Sequence, residues 1–417
     1  MVTTAVRLYG KRDLRLETFE LPPVGDDEIL AEVISDSVCM STYKAAEQGA
    51  AHKRVPDDPA RNPVIIGHEF CGRILETGGK WRGAFSPGDR FAIQPAVNDP
   101  ANIYAAPGYS FSYIGGAATY IIIPGIFMER GCLLPYDGAA YYQGSLAEPV
   151  SCVIGGFRCM YHTRAGSYLH EMGIKPGGKM ALLAGAGPMG LGAIDYALHG
   201  DRRPSLLAVT DIDGARLDRA AALYTPGHAK SCGVELVYRN APDTGELTEL
   251  SGGTGFDDVF IYAPVASLCE QGGAVLARDG CLNFFAGPPD PDFSARMNFY
   301  GLHYNAHHVA CNSGGNADDM RRSLEMVSQG AIDPSVMVTH IGGLDAVIET
   351  TLNLPGIPGG KKLMYTHLSM PLTAIADFAE LGAADPLFAQ LAERTKNGLW
   401  TPECERYLLE NGQPLSL

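Results

Sequence analysis

Apolar positions along the first 135 or so residues come in short runs or alternate with polar ones, as in DEILAEVIS, PVIIGHEFCGRILETG, GDRFAIQP and ATYIIIP, with glycine and proline between them. A period of two predicts half-buried strands, so this part reads as a twisted, mostly β domain. From about residue 178 the texture changes. KMALLAGAG, SLLAVTDID, FDDVFIYA and GCLNFFAG are nearly continuous apolar runs, separated by PMGLGAIDYALHG, GARLDRAAALY and an apolar helical stretch around 266–277. Strand and helix in alternation predict a parallel, doubly wound sheet covered on both faces. Further on, SGGNADDMRRSLEMVSQG predicts a capped amphipathic helix, VMVTHIGG and KKLMYTH two short strands, and 371–412 a helical tail.

One turn in this pattern carries chemistry. Gly185-Ala186-Gly187-Pro188-Met189-Gly190 follows the apolar strand and opens a helix, the context a dinucleotide-binding G-x-G-x-x-G requires. The first glycine permits the tight turn, the second lets backbone approach a pyrophosphate, and the third allows close helix–strand packing. Pro188 suits the first helical turn, where a missing N–H costs nothing, and Met189 lies beside it. Asp211 ends the next strand at the distance expected of a carboxylate that binds both ribose hydroxyls, which favours NAD(H) over NADP(H). Asp213 is either a second ribose ligand or a helix cap, and Arg216 can reach a 2′-phosphate, so NADP(H) stays open.

Composition narrows the partners. The 417 residues allow two or three domains at about 150 residues each. A formal net charge of −15 repels nucleic acid and anionic membranes over long range, so an anionic ligand must be held by local devices such as helix N-termini and a few placed cations. The ten cysteines form no C-x-x-C pair, which fits reduced thiols in a cytoplasm. Arg7, Lys11, Arg12 and Asp13 stand where an export signal needs an apolar stretch, and the longest apolar run, Met180–Ile194, is shorter than the roughly 18 residues of a spanning helix.

Cys39 follows a strand, Gly67-His68-Glu69 follows PVII, and Glu148 stands in LAEPVSC. Thiolate, imidazole and carboxylate are what zinc takes in an open catalytic site. Taken singly each residue has an ordinary structural explanation, but the order is informative: Cys39 with Ser41, then G-H-E, then Gly88-Asp89-Arg90, then Glu148-Pro149, then G-x-G-x-x-G. This ordered set resembles the zinc-dependent medium-chain dehydrogenase/reductase superfamily from end to end, and its polyol dehydrogenase branch in the ligand set. Within it, SDSVCMSTYKAA, SLAEPVSCVIG, GPMGLGAIDYA, NLPGIPGGKKLMY and MPLTAIADFAE are similar to the L-sorbose 1-phosphate reductases.

The resemblance implies an α/β Rossmann domain inserted into a GroES-like, mostly β catalytic domain: residues 1–160, then the Rossmann domain at 161–310, then 311–417 returning to the catalytic domain with a helical extension. It implies one catalytic Zn²⁺ on Cys39, His68 and Glu69, with Glu148 as fourth ligand or as partner of a bound water, and proton transfer through Ser41. The segment Gln94–Gly116 contains no cysteine, so no structural zinc is expected. Lys44 stands where the branch often has a histidine and is a proton-relay or phosphate-contact residue. The implied substrate is a phosphorylated ketose, L-sorbose 1-phosphate exchanging with D-glucitol 6-phosphate, its phosphate met by Lys44, Lys53 and Arg54. A polyol dehydrogenase for an unphosphorylated sugar alcohol is the rival. A homodimer or homotetramer built on the Rossmann domains is also implied. His303, His307 and His308 read as polar surface, and Asp257 and Asp258 as turn caps before a strand.

Overall fold

The computed structural model describes residues 1–164 and 166–416. They divide into two compact units, one of residues 1–149, 316–330 and 338–417, the other of 150–315 and 331–337.

The first unit is built on an eight-stranded sheet around Ile29–Val38, a strand buried along its whole length. It pairs antiparallel with Phe70–Thr77, with Tyr120–Ile123 and with Lys361–Tyr365, so strands from opposite ends of the chain lie side by side. The register Lys362↔Val38 brings the start of the late strand beside Cys39. A three-stranded sheet, Val2–Gly10 with Asp13–Glu20 and Val64–Ile65, packs its own apolar face into the same unit. Ile29, Val33, Phe70, Ile74, Phe91 and Ile121 form the main core.

The second unit holds a six-stranded, all-parallel sheet in the order Glu235–Asn240, Leu206–Asp211, Lys179–Leu183, Phe256–Ile261, Leu276–Phe284, His308–Ala310. Chain order reverses beside Lys179–Leu183, which makes the end of that strand a topological switch point, the place such sheets bind ligands. Its apolar runs are continuous because helices such as Pro188–His199 cover the sheet.

Three sequence expectations need correction. The stretch 371–412 is not helical throughout: Thr373–Ala374 pairs with the strand Val338–Gly343, a 3-10 turn spans Ile375–Asp377, and α-helices follow at Phe378–Leu381, Pro386–Arg394 and Pro402–Asn411. The helix at 266 stops at Ala274, because Leu276 already belongs to a strand. Asp257 and Asp258 do not cap a turn before a strand; they lie inside Phe256–Ile261. Asp257 accepts the Lys179 amide at 2.8 Å and pairs with Lys175, while buried Asp258 pairs with His162 at 3.1 Å, so both clamp neighbouring segments.

The tail fixes the helix Tyr141–Cys159. Glu405, in Pro402–Asn411, accepts the backbone N–H groups of Tyr141 at 2.5 Å and Tyr142 at 2.8 Å, satisfying donors that a helix start otherwise leaves free. Tyr365 donates to the same carboxylate at 2.9 Å, and the indole of buried Trp400 donates to the Tyr365 hydroxyl at 2.8 Å. Replacing Glu405 by Ala strands one buried and one part-buried N–H group, so Glu405→Ala is expected to cost about 3 kcal/mol in urea unfolding, against within about 0.5 kcal/mol for exposed Glu410→Ala. Burial also raises the Glu405 carboxyl to about 7. A folded-state value above the unfolded one means its contribution is complete below about pH 4 and declines as pH rises through about 7, so the Glu405→Ala deficit should be larger near pH 6 than near pH 8.

Candidate active site

In the first unit, Cys39 is the N-cap of the helix Met40–Gln48, which puts its sulfur and the first-turn hydroxyl of Ser41 on one side. Ser41 Oγ donates to Cys39 Sγ at 3.0 Å and lies 3.2 Å from His68 Nε2. His68 and Glu69 follow Gly67, whose φ of +90° lies in the left-handed region. A Cβ at Gly67 would also come within 2.3 Å of an Asp36 oxygen, so only glycine allows the turn that presents His68. The ligating atoms of Cys39, His68 and Glu69 all lie within 4.8 Å of one another.

Electrostatics distinguish the members of this group. His68 is 5% exposed and burial lowers its pKa, so the imidazole is a neutral ligand near pH 7. Its Nδ1 lies 3.0 Å from the Tyr109 hydroxyl and 3.3 Å from that of Thr42, which leaves Nε2 toward Ser41 and Cys39. Burial pushes the Cys39 thiol up, opposed by the charge of Lys361. Glu69 is 1% exposed; burial raises its pKa, but the charge of the Lys361 ammonium, with the hydrogen bonds from Lys361 and Ser37, more than offsets this and keeps it ionised. Lys361 Nζ donates to both Glu69 oxygens, at 2.6 Å to one, and Ser37 Oγ donates at 2.5 Å. Glu148 is buried too, and burial with the neighbouring Glu69 charge raises it to about 7. A half-buried thiol, a neutral imidazole and two buried carboxylates facing one ammonium form a pocket that a divalent cation would neutralise, and the donor types are those of zinc.

Lys361, Tyr109 and Thr42 were outside the sequence reading. Lys361 is separated from Glu69 by 292 positions, and nothing in the segment NLPGIPGGKKLMY around it points to a carboxylate partner. Tyr109 belongs to the cysteine-free segment after Gly88-Asp89-Arg90, and only the structure shows that it packs on His68.

Basic groups gather close by. Lys44, one turn after Ser41, is half-buried, and burial lowers its pKa. His52 stacks on Tyr109 with ring centroids 5.7 Å apart, and the Arg54 guanidinium lies 5.2 Å from the centroid of the same Tyr109 ring. Burial, then the charges of Arg54, Lys53 and Lys44, depress His52 to about 4. Neither Lys53 nor Arg54 forms an ion pair among the described residues.

In the second unit the glycine turn behaves as three distinct positions. A Cβ at Gly185 would lie 2.6 Å from Leu182 Cβ, and one at Gly190 would lie 2.0 Å from the Gly185 carbonyl, whereas at Gly187 it would meet nothing within 4 Å. Pro188 opens the helix, and Gly187 N-caps it without a side-chain acceptor, leaving the N–H groups to a ligand. The turn borders a cavity of about 520 Å³ lined also by Met189, Asp211, Arg216 and Tyr262. Asp211 is buried and uses its oxygens on the amides of Ala186, at 3.2 Å, and Asp213, at 3.0 Å. Asp213 is the helix cap: it accepts from Ala215 and Arg216, and its other oxygen pairs with the Arg216 guanidinium at 3.4 Å. His308 pairs with Asp279 at 2.8 Å in the edge strand, so it is structural. Among the described residues no helix is long and apolar enough to cross a membrane.

Comparison with known proteins follows the same lines. Residues 25–129 match the alcohol dehydrogenase GroES-like domain. The chain is 51% identical over 98% of its length to a mannitol-1-phosphate 5-dehydrogenase of Aliivibrio fischeri, covering 97% of it. It is 49% identical over 99% of its length to an L-sorbose 1-phosphate reductase of Klebsiella pneumoniae, covering 99% of it. The 2R,3R-butanediol dehydrogenase of Bacillus subtilis has the same fold, with a TM-score of 0.69 at 20% identity over 87% of this chain and 99% of its own. The chain therefore belongs to the zinc-dependent medium-chain dehydrogenase/reductase superfamily, in its polyol dehydrogenase branch. It is an NAD(P)-dependent alcohol or polyol dehydrogenase by class.

Removing one partner of a buried ion pair leaves an uncompensated charge. Lys361→Met is expected to cost the metal-free protein about 3–5 kcal/mol in urea unfolding, and added Zn²⁺ to restore part of it.

Proposed function

We propose that this protein is a zinc-dependent oxidoreductase of phosphorylated sugars, interconverting a ketose phosphate and a hexitol phosphate, with L-sorbose 1-phosphate and D-glucitol 6-phosphate as the leading pair. The observation that carries the phosphate is positive charge beside the donor set in a chain of net charge −15: Arg54 lies over the ring of Tyr109, which touches His68, and Lys44, Lys53 and Arg54 all act on His52, stacked on that same tyrosine. Lys53 and Arg54, which form no ion pair among the described residues, add positive charge beside the donor set, and a guanidinium and an ammonium suit a doubly charged phosphoryl group. The two relatives described above both carry phosphorylated sugars in their names, but they differ in geometry. L-Sorbose 1-phosphate has its phosphate next to the keto carbon, whereas mannitol 1-phosphate oxidised at carbon 5 has it toward the opposite end of the chain.

In this reading Cys39, His68 and Glu69, whose ligating atoms converge, would hold the zinc, with Glu148 as fourth ligand or partner of a bound water and with Glu69 anchored by Lys361 and Ser37. Zinc supplies Lewis acidity to the carbonyl oxygen, and the reduced nicotinamide supplies the hydride. The residues of the chain do the rest. Ser41, beside both Cys39 and His68, passes a proton to or from the reacting oxygen through a hydroxyl that can donate and accept. Lys44, Lys53 and Arg54 orient the substrate by its phosphate. The turn from Gly185 to Gly190 cradles the pyrophosphate with the backbone N–H groups of its glycines and Met189, while Pro188, which has none to offer, sets the first turn of the helix. Asp211 takes a ribose hydroxyl, and with Arg216 already engaged by Asp213 the pocket favours NADH over NADPH. A homodimer or homotetramer through the second unit is supported by Phe299, Tyr300 and Tyr304, exposed near the edge strand His308–Ala310.

Cys39→Ser or His68→Ala should abolish turnover while NADH still binds by fluorescence; turnover in metal-free protein would overturn the zinc assignment. Gly187→Ala should leave the unfolding midpoint unchanged but weaken NADH at least about tenfold, since its Cβ meets only the cofactor. Across L-sorbose 1-phosphate, D-fructose 6-phosphate and free L-sorbose, kcat/KM for the preferred phosphate should exceed that for free sorbose by about a hundredfold or more. Arg54→Ala should remove most of that difference. Equal efficiency on free sorbose would point to an ordinary polyol dehydrogenase.

A further inference from the structure

The second unit carries another set of metal-ligating side chains that the proposed reaction does not use. His199 ends the helix Pro188–His199, His228 lies in the helix Pro226–Ser231, and Cys232 is that helix's C-cap. Their donor atoms converge. Nε2 of His228 is 3.3 Å from Nε2 of His199, and Cys232 Sγ is 3.7 Å and 3.9 Å from those two nitrogens. A tetrahedral zinc at about 2.05 Å from imidazole nitrogen and about 2.3 Å from thiolate sulfur holds N and N about 3.3 Å apart and N and S about 3.6 Å apart. The three side chains already stand at nearly those separations. A hydrogen bond between the two imidazoles would explain the first distance but not why one sulfur approaches both rings.

The surroundings add a second, independent sign. His199 Nδ1 lies 2.7 Å from an Asp195 carboxylate oxygen, so its proton is held there and the Nε2 lone pair is turned toward His228 and Cys232. Asp195 is itself buried, and its other oxygen accepts the Asp333 amide at 2.8 Å, which keeps this orienting group in place. Cys232 is equally fixed: its N–H donates to the carbonyls of Ala229 at 3.0 Å and His228 at 3.2 Å, and its own carbonyl accepts from Arg203 at 3.1 Å. Binding a cation here asks for little more than loss of the thiol proton.

We propose that His199, His228 and Cys232 form a second zinc site on the nucleotide-binding unit, with a fourth position open to solvent beside exposed His228. Two imidazoles and a thiolate select zinc over the oxygen-seeking Mg²⁺ and Ca²⁺. The site shares no residue with the Cys39 and His68 group and does not rest on the function proposed above.

Metal-stripped full-length protein, saturated with Zn²⁺ and freed of excess, should hold one zinc per chain more than a His228→Ala/Cys232→Ser variant, with equal NADH binding and far-ultraviolet circular dichroism in both. The difference is what tests the site: failure of the Cys39 and His68 assignment would lower both totals by one and leave it unchanged, whereas equal zinc contents would overturn the proposal. Alkylation of Cys232 in the wild-type protein, followed by peptide mass spectrometry, needs no variant. Zn²⁺ at about ten times its dissociation constant should slow it about tenfold; an unchanged rate at saturating Zn²⁺ would also overturn the proposal.

Discussion

Buried negative charge is the constraint around which the first unit is arranged. Asp36, Glu69 and Glu148 are all nearly inaccessible to solvent, and the ammonium that faces them comes from Lys361. Isolated carboxylates would not stay ionised in such surroundings. Glu69 stays ionised because Lys361 and Ser37 meet it directly, while Asp36 and Glu148 are pushed upward by burial and by Glu69 itself. The group holds more carboxyls than one ammonium keeps ionised, and a metal cation entering beside Cys39 and His68 would favour ionisation of the rest.

Holding Lys361 in position takes much of the unit. It begins the strand that pairs with Ile29–Val38, and that pairing fixes which residue stands opposite Cys39. The same strand ends in Tyr365, which joins Trp400 and Glu405, and Glu405 in turn caps the helix that carries Glu148. The C-terminal extension is thus tied by hydrogen bonds to the helix that brings the last carboxylate to the site.

What could be read from the sequence were the features with a local signature. Gly185 to Gly190 needs only a strand, a turn and a helix in succession, and the structure gives each glycine a different steric environment. Cys39, His68 and Glu69 lie at strand ends, where the apolar pattern breaks off, and they do converge. Lys361, Tyr109 and Thr42 could not be found this way, since each is defined by a partner distant in sequence. The cluster of His199, His228 and Cys232 was equally invisible, because His228 and Cys232 share one turn of helix while His199 arrives from another. Thr373–Ala374 was missed for a similar reason: two residues become a strand only because an edge is there to receive them.

The pairing of Lys361 with Glu69 also orders events in time. A ribosome delivers residues 1–149 well before residue 361, at about 5–20 residues per second, and the parallel sheet of the second unit can form in between. For those seconds the strands around Cys39 have neither their counter-ion nor one neighbouring strand of the sheet. The donor group of Cys39, His68 and Glu69 therefore matures last, after nearly the whole chain has been made, and a chain cut short before Lys361 would carry the donor side chains without the charge that steadies them.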